Sequence, residues 1–323
     1  MKFSPLLAPA VFSVAFVSCD QAEKITSKVK SSVTETIASV KSDVSIKPDI
    51  PDSRLQALVD QTSEGYIFRK DLPFPANLTV RTTQKLTYSN ARQVQNNVME
   101  RKASRLEGSF SEEIICSRRG DDFIVQIGTK NRITTDPNDP EKTIAAAVAD
   151  SKSGKSIRLT QDGKSWSAAK NSDFNSHVLT QEILPHATAF FTEAGALPRA
   201  LWFGKKRIKP GDTITISQAE LPMLHAFSGK GNLNLILQSV ESVHGHPCGV
   251  FSVSGNYSAN PYFDLTGEKT SLDMTLSSGK IWLSLLHPIV LKQELETIQT
   301  QTSTHSNIEG GIHLSIDREW KAE

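Results

Sequence analysis

The sequence lacks an excess of charge of either sign, and it lacks the familiar motifs of catalytic sites. Its 323 residues include 36 Lys and Arg against 35 Asp and Glu, for a formal net charge of +1. This balance disfavours nucleic acid as a partner, because phosphate binding needs a basic surface. Gly-x-Ser-x-Gly, His-Glu-x-x-His and phosphate-binding glycine loops are absent, so we predict no catalytic residues and no cofactor. An enzyme of unrecognised type is the disfavoured alternative.

The first twenty residues are the most informative segment. Lys2 supplies a positive charge, and the almost wholly apolar run that follows ends in Phe16-Val17-Ser18-Cys19. This segment resembles the signal of bacterial lipoproteins: the last three residues match its pattern, whereas Phe16 stands where Leu is commonest. One acyl chain binds membranes only marginally, so a stable anchor of this kind carries two or three on one residue.

The resemblance implies that residues 1–18 are removed and that the Cys19 sulfur carries diacylglycerol, with a further acyl chain such as palmitate on the same residue. It implies a location in the cell envelope, anchored to a membrane and facing the periplasm or the exterior. Two alternatives are an ordinary secretory signal that is cut nearby and an uncleaved anchor. The apolar run is too short for a spanning helix.

The chain has only three cysteines. With Cys19 assigned to lipid, Cys116 and Cys248 remain as an even pair in an oxidising compartment, and a disulfide between them is predicted. The alternative is two separately buried thiols. Arg118 and Arg119 could also lower the pKa of the Cys116 thiol, although a structural role is the commoner one for such a residue.

Residues 19–51 are predicted to be a lipid-anchored tether, helical or flexible. Apolar residues recur on one helical stripe at Ile25, Val29, Val33, Ile37, Val40 and Val44. Pro48 and Pro51 end the pattern. Residues 52–323 then form the working body, with a candidate sub-boundary near 195–212.

The body is predicted to be α+β but dominated by β. Alternating segments favour a large curved antiparallel sheet, a meander or half-barrel, with one apolar and one polar face and a few covering helices. Helices are expected from Asp52 or Ser53 to about Thr62, with Leu55, Leu58 and Val59 inward, and over 141–149 and 173–195. Residues 89–101 fit either a helix or a loop. Turns are predicted at Arg119–Asp122, at Asp162-Gly163 and at Ser278-Gly279.

Two groups of side chains are candidates for a site. His244, His246 and Cys248 would share a face of one extended strand and suit zinc or copper, but Gly245 and Pro247 indicate a turn, so no metal site is predicted. An apolar group either packs as core or lines a pocket for an apolar ligand. Its members are Phe190, Phe191, Leu197, Leu201, Trp202 and Phe203.

The body loosely resembles envelope lipoproteins whose curved antiparallel sheets hold acyl chains. The resemblance rests on the turn Lys209–Asp212 before a strand, on Gly245–Gly249 between strands, and on long alternating C-terminal strands. It implies a non-enzymatic protein that binds a partner in the envelope or an apolar ligand. A structural spacer or assembly factor is the alternative.

Overall fold

The structure is a computed structural model. It describes residues 50–69, 72, 74–96, 101–120, 122–136, 139–147, 154–162, 165–168, 203–217, 229–263, 269–303 and 306–322. The predicted signal, Cys19, nearly all of the predicted tether and the predicted helices at 173–195 lie outside these residues. Within them, none of the helices combines the length and the apolar character needed to cross a bilayer.

One large antiparallel sheet dominates the described residues, which confirms the predicted β-dominated fold. Its strands are β3 Asn77–Asn96, β4 Arg101–Arg119, β5 Asp122–Asp136, β6 Asp139–Ala147, β7 Ser156–Asp162, β8 Ser165–Ala168, β9 Thr213–Ser217, β10 Gly229–Val243, β11 His246–Phe263, β12 Lys269–Ser284, β13 Val290–Ser303 and β14 Ser306–Ala322. Their order in the sheet is β8-β7-β5-β4-β3-β14-β13-β12-β11-β10-β9, and β6 pairs with β5 off this path. The last strand, β14, pairs with β3 and so joins the two halves of the sheet.

Smaller elements precede the sheet: helix α1 Ser53–Gln56 and strands β1 Gln61–Thr62 and β2 Gly65–Tyr66. Asp52 caps α1 as expected, because its side chain accepts the backbone N–H of Arg54 at 2.9 Å. The helix is shorter than predicted, and Leu58 is 42% exposed rather than inward. Strand β1 occupies the end of the segment that was expected to be helical.

Two of the three predicted turns are confirmed, and one is wrong. Strands β4 and β5 meet at the pair Arg119–Asp122, and β7 and β8 meet at the pair Asp162–Ser165. At Gly279, by contrast, β12 continues without a turn. A Cβ atom there would lie 2.6 Å from Leu295 Cδ2, so the glycine provides room for a side chain of the next strand.

Two helix-compatible segments are strands instead. The alanine-rich part of β6 pairs with β5, for example Ile144 with Thr134, so sheet pairing overrides the helical preference of alanine. The segment 89–101 is neither helix nor loop where it is described, since β3 runs to Asn96 and β4 begins at Arg101.

The sheet is bent by register shifts in several of its strands. One falls between Ser252 and Gly255 on β11, and Gly255 has a φ of +148° that favours glycine. Others fall between Tyr88 and Ala91 on β3 and beside Gly310 on β14. Such bulges bend a strand and increase its twist, which accounts for the curvature.

Buried apolar side chains form two clusters. The face cluster lies largely on one face of β9–β13 and comprises Phe68, Phe203, Ile208, Ile216, Leu233, Leu235, Leu237, Phe251, Val253, Tyr257, Leu272, Met274, Leu276, Ile281, Leu283, Leu285, Val290 and Leu295. The end cluster lies at the sheet end where β3 begins and β14 ends, and comprises Leu78, Val80, Ile114, Cys116, Phe123, Val125, Ile127, Ile157, Leu159, Val243, Cys248, Val250, Trp282, Ile289, Leu291 and Trp320.

The prediction of one apolar and one polar face is wrong at this end of the sheet. On β11, Phe251 and Val253 belong to the face cluster, whereas Cys248 and Val250 belong to the end cluster. Successive residues of a strand point to opposite faces, so β11 is buried on both sides here. The end cluster also contains side chains of β3, β4, β5 and β7, so both halves of the sheet contribute to it.

Candidate functional site: a covered apolar face beside a buried histidine cluster

Three aromatic rings of the face cluster contact one another, and two of them cover part of that cluster. Phe68 lies 4.8 Å from Phe203 and 5.3 Å from Phe251, measured between ring centroids, and Phe203 lies 5.4 Å from Phe251. Only Phe251 belongs to the sheet. Phe68 and Phe203 come from segments outside the sheet, so the cover is made of side chains that the sheet does not supply.

Residues 50–69, which we call the strap, run along this cover. At its start, the Asp52 N–H donates to the Gly245 carbonyl at 2.8 Å, and at its end, the Arg69 N–H donates to the Leu285 carbonyl at 2.8 Å. Between these points, Tyr66 forms a β-bridge with Ile208. The strap is therefore attached to the body through a small number of backbone hydrogen bonds.

One ion pair supports the strap from the second cover segment, residues 203–212. The Arg207 guanidinium donates to Asp60 at 2.7 Å and to the Gly65 carbonyl at 3.2 Å. Both charged side chains are partly exposed, so this pair contributes little to stability.

Of the predicted pocket residues, the structure describes only Phe203. It is buried, 5% exposed, and belongs to the face cluster. Phe190, Phe191, Leu197, Leu201 and Trp202 lie outside the described residues. The site therefore includes one side chain that was predicted, Phe203. Its other two rings, Phe68 and Phe251, were not predicted as pocket residues.

A second group of rings lies at the end of the sheet, next to the end cluster. His246 is fully buried and His287 is 4% exposed. Both rings contact Trp320, with centroids 4.8 and 5.2 Å away, and lie 5.7 Å from each other. Phe74 stacks on His287 at 4.9 Å. We call these four side chains the histidine cluster.

Ser284 connects the histidine cluster to the backbone. Its Oγ accepts the N–H groups of Leu286 and His287 at 3.0 and 2.9 Å, and it lies 2.7 Å from His246 Nε2. The serine and both imidazoles are buried, so this group is a structural network rather than an accessible nucleophile and base.

Arg318 lies where the sheet splits. The pairing of β13 with β14 reaches Lys292 and Asp317, while β14 stays paired with β3 to its end. Arg318 donates from Nη1 to the Val290 carbonyl across the split. Burial lowers the pKa of this guanidinium to about 10.

The two internal cysteines are both buried, and both lie in the end cluster as thiols rather than as a disulfide. Burial raises the pKa of Cys116 to about 12, although the Arg318 charge acts in the opposite direction. The thiol therefore stays protonated, and Arg118 and Arg119 do not activate it.

The candidate metal ligands are separated. His244 lies in the β10–β11 turn with a φ of +50°, and its Nε2 contacts Asp317 Oδ1 at 2.7 Å. That hydrogen bond holds the pKa of the Asp317 carboxyl below its usual value. His246 points instead into the histidine cluster. Among the described residues, no three His, Cys, Asp or Glu side chains are grouped as metal ligands.

No family model matches the chain, and no curated protein matches it in sequence. One solved structure, described as "lipid-protein interactions in lipovitellin", is similar over 77% of this chain and 26% of that chain, with 9% sequence identity and a TM-score of 0.31. This chain thus spans about a quarter of the length of that chain. At this level the likeness is weak and says nothing about a ligand of this protein.

Proposed function

We propose that this protein is a membrane-anchored lipoprotein of the bacterial envelope whose β-sheet body binds an apolar ligand, such as a lipid acyl chain, and does not catalyse a reaction. The main support for this proposal is that side chains from outside the sheet cover the face cluster. Phe68 and Phe203 come from segments outside the sheet, and they lie on apolar strands that a ligand could reach if the strap moved.

Displacement of Phe68 would open a position above Gly249 for a slender apolar chain. Gly249 has no side chain, and Phe68 occupies the space above it. Burying one phenylalanine is worth about 2–3 kcal/mol, and each buried methylene about 0.8 kcal/mol. An acyl chain that buries roughly four methylenes can therefore compensate for displacing Phe68.

The N-terminal segment supports the membrane part of the proposal. A lipid on Cys19 would keep the body within reach of a bilayer that is rich in acyl chains. The strap begins at Ile50, at the end of the predicted tether, so the segment that links the body to the anchor continues into the one that covers the apolar face.

Mass spectrometry of the full-length protein tests this proposal. A bound ligand adds mass under native conditions and is lost under denaturing conditions, whereas acyl groups on Cys19 remain in both spectra. We expect a native mass excess that matches one membrane lipid. A folded protein with no such excess, isolated from membranes, would favour the spacer or assembly factor instead.

A further inference from the structure

The bend between β12 and β13, residues 285–289, is held by one buried side chain together with three backbone hydrogen bonds. The N–H groups of Ser284, Leu285 and Ile289 donate to the carbonyls of Ile289, Pro247 and His287 at 3.0, 3.0 and 2.7 Å. Ser284 accepts hydrogen bonds from the backbone N–H groups of Leu286 and His287. It is fully buried, and its third polar contact is His246 Nε2 at 2.7 Å.

The hydrogen-bond capacity of a serine fixes the protonation state of His246. A hydroxyl has one proton and two acceptor lone pairs. Two backbone N–H groups occupy both lone pairs of Ser284, so its proton points at His246 Nε2. That nitrogen must then be unprotonated, and His246 is a neutral imidazole that carries its proton on Nδ1.

Protonation of His246 is incompatible with this arrangement. A protonated imidazole carries N–H groups on both nitrogens, so Nε2 would become a third donor facing Ser284 Oγ. One of the three hydrogen bonds would have to break inside a buried cluster, where an unsatisfied polar group is costly. The closed bend thus binds one proton fewer than an opened one.

The same bend holds the end of the strap. Leu285 follows Ser284, and its carbonyl accepts the Arg69 N–H at 2.8 Å. The neighbouring residue Phe68 covers Gly249 and stacks on Phe203. Two hydrogen bonds therefore connect His246 to the segment that covers the face cluster. The first joins His246 to Ser284, and the second joins Leu285 to Arg69.

The titratable groups in the surrounding elements are of mixed sign. Positive or potentially positive groups are His287 in the bend and the buried Arg318 on β14, and both oppose a further positive charge on His246. The buried Cys116 thiol stays neutral, because burial raises its pKa to about 12. The carboxylates are engaged elsewhere: Glu241 on β10 with Trp282, Asp317 on β14 with His244, and Asp52 on the strap with Arg54.

We propose that His246 and Ser284 form an acid-sensitive clip: proton uptake by His246 releases the bend at 285–289 and the end of the strap, and so uncovers the apolar face. The consequence for ligand access rests on the proposed function, whereas the opening itself does not.

Hydrogen exchange of the full-length protein, followed by mass spectrometry from pH 7.5 to 5.0, tests the clip. An exposed imidazole takes up its proton near pH 6.5, so opening should increase about tenfold per pH unit below that value. After correction for intrinsic exchange, we expect roughly thirtyfold faster exchange at 66–69 and 285–289 at pH 5.0 than at pH 7.5.

Two substitutions make the test specific. His246→Gln places a non-titrating amide opposite Ser284 and should abolish the acid dependence. His313→Gln is the matched control, because His313 pairs with Glu296 on the partly exposed surface, and it should leave the acid dependence intact. Ser284→Ala removes the acceptor itself, so both segments should exchange rapidly at every pH.

Unchanged exchange in the wild-type protein down to pH 5.0, or the same acid dependence in His246→Gln, would overturn the clip. The proposed function is judged separately by the lipid mass excess at neutral pH. If the protein carries no bound lipid but its bend still opens in acid, the clip is supported and the proposed ligand is not.

Discussion

Gly249 lies directly beneath the ring of Phe68. A Cβ atom on this glycine would be 2.5 Å from Phe68 Cζ, so the absence of a side chain at 249 is what allows the strap to lie on the sheet. The pair links the N-terminal segment to the centre of the apolar face.

Gly249→Ala should destabilise the protein by about 1–3 kcal/mol, because the added methyl group overpacks against Phe68. The test is a double-mutant cycle measured by urea unfolding, with Phe68→Leu as the second substitution. The cost of Gly249→Ala should fall markedly in the Phe68→Leu background. Equal costs in both backgrounds would show that the two residues do not meet.

Asp317→Asn should lower the free energy of unfolding modestly, and only at pH values above about 3.8. The His244 hydrogen bond lowers the pKa of Asp317 in the folded state below its ordinary value of 3.8. A lowered carboxyl pKa contributes stability above pH 3.8, and that contribution is lost as the pH falls through the folded-state value.

Because the Asp317 side chain is about half exposed, we expect a difference in unfolding free energy below about 1 kcal/mol at pH 5.5. This difference should shrink as the pH falls below 3.8. Glu294→Gln is the control for removing a surface carboxylate that pairs with Lys292. A difference that grows as the pH falls has the wrong sign for this account.

Cys116 and Cys248 should resist iodoacetamide in the native protein at pH 8. Both are buried, and the thiolate that reacts is scarce at Cys116, whose pKa is about 12. In urea without reductant both should react, as two thiols do. Resistance in urea until reductant is added would instead show that the disulfide predicted from the cysteine count forms in the cell.

Cys19→Ser should abolish acyl labelling and release the protein from the membrane fraction, because the sulfur is the predicted point of attachment. Cys248→Ala is the matched control and should stay on the membrane, since this residue is buried in the body. Acyl labelling that persists in Cys19→Ser would contradict the proposal that Cys19 carries the lipid anchor.

The fold class was predictable because alternation and turn residues act locally. Asp162-Gly163 and Arg119–Asp122 marked hairpins correctly, and the C-terminal strands followed from period-two patterns. The helix expected at 141–149 and the turn expected at Ser278-Gly279 were wrong, because pairing across strands decided both segments. Local propensity does not contain that information.

Most residues of the candidate site could not be predicted from the sequence. His246 and Ser284 are 38 residues apart and meet only through the register of β11 with β12, which pairs Cys248 with Ser284. Phe68 lies in a short segment without periodicity, so nothing marked it as the cover of Gly249. Phe203 was singled out correctly because it stands in an aromatic, apolar group.

We propose that an apolar ligand competes with Phe68 for the space above Gly249. The most direct test compares lipid occupancy, from native and denaturing masses, in the full-length wild type, in Phe68→Ala and in Phe123→Ala. Phe123 is an equally large buried ring in the end cluster, so it controls for lost packing. We predict bound lipid in the wild type, higher occupancy in Phe68→Ala and wild-type occupancy in Phe123→Ala. Folded protein without lipid in all three would contradict the account.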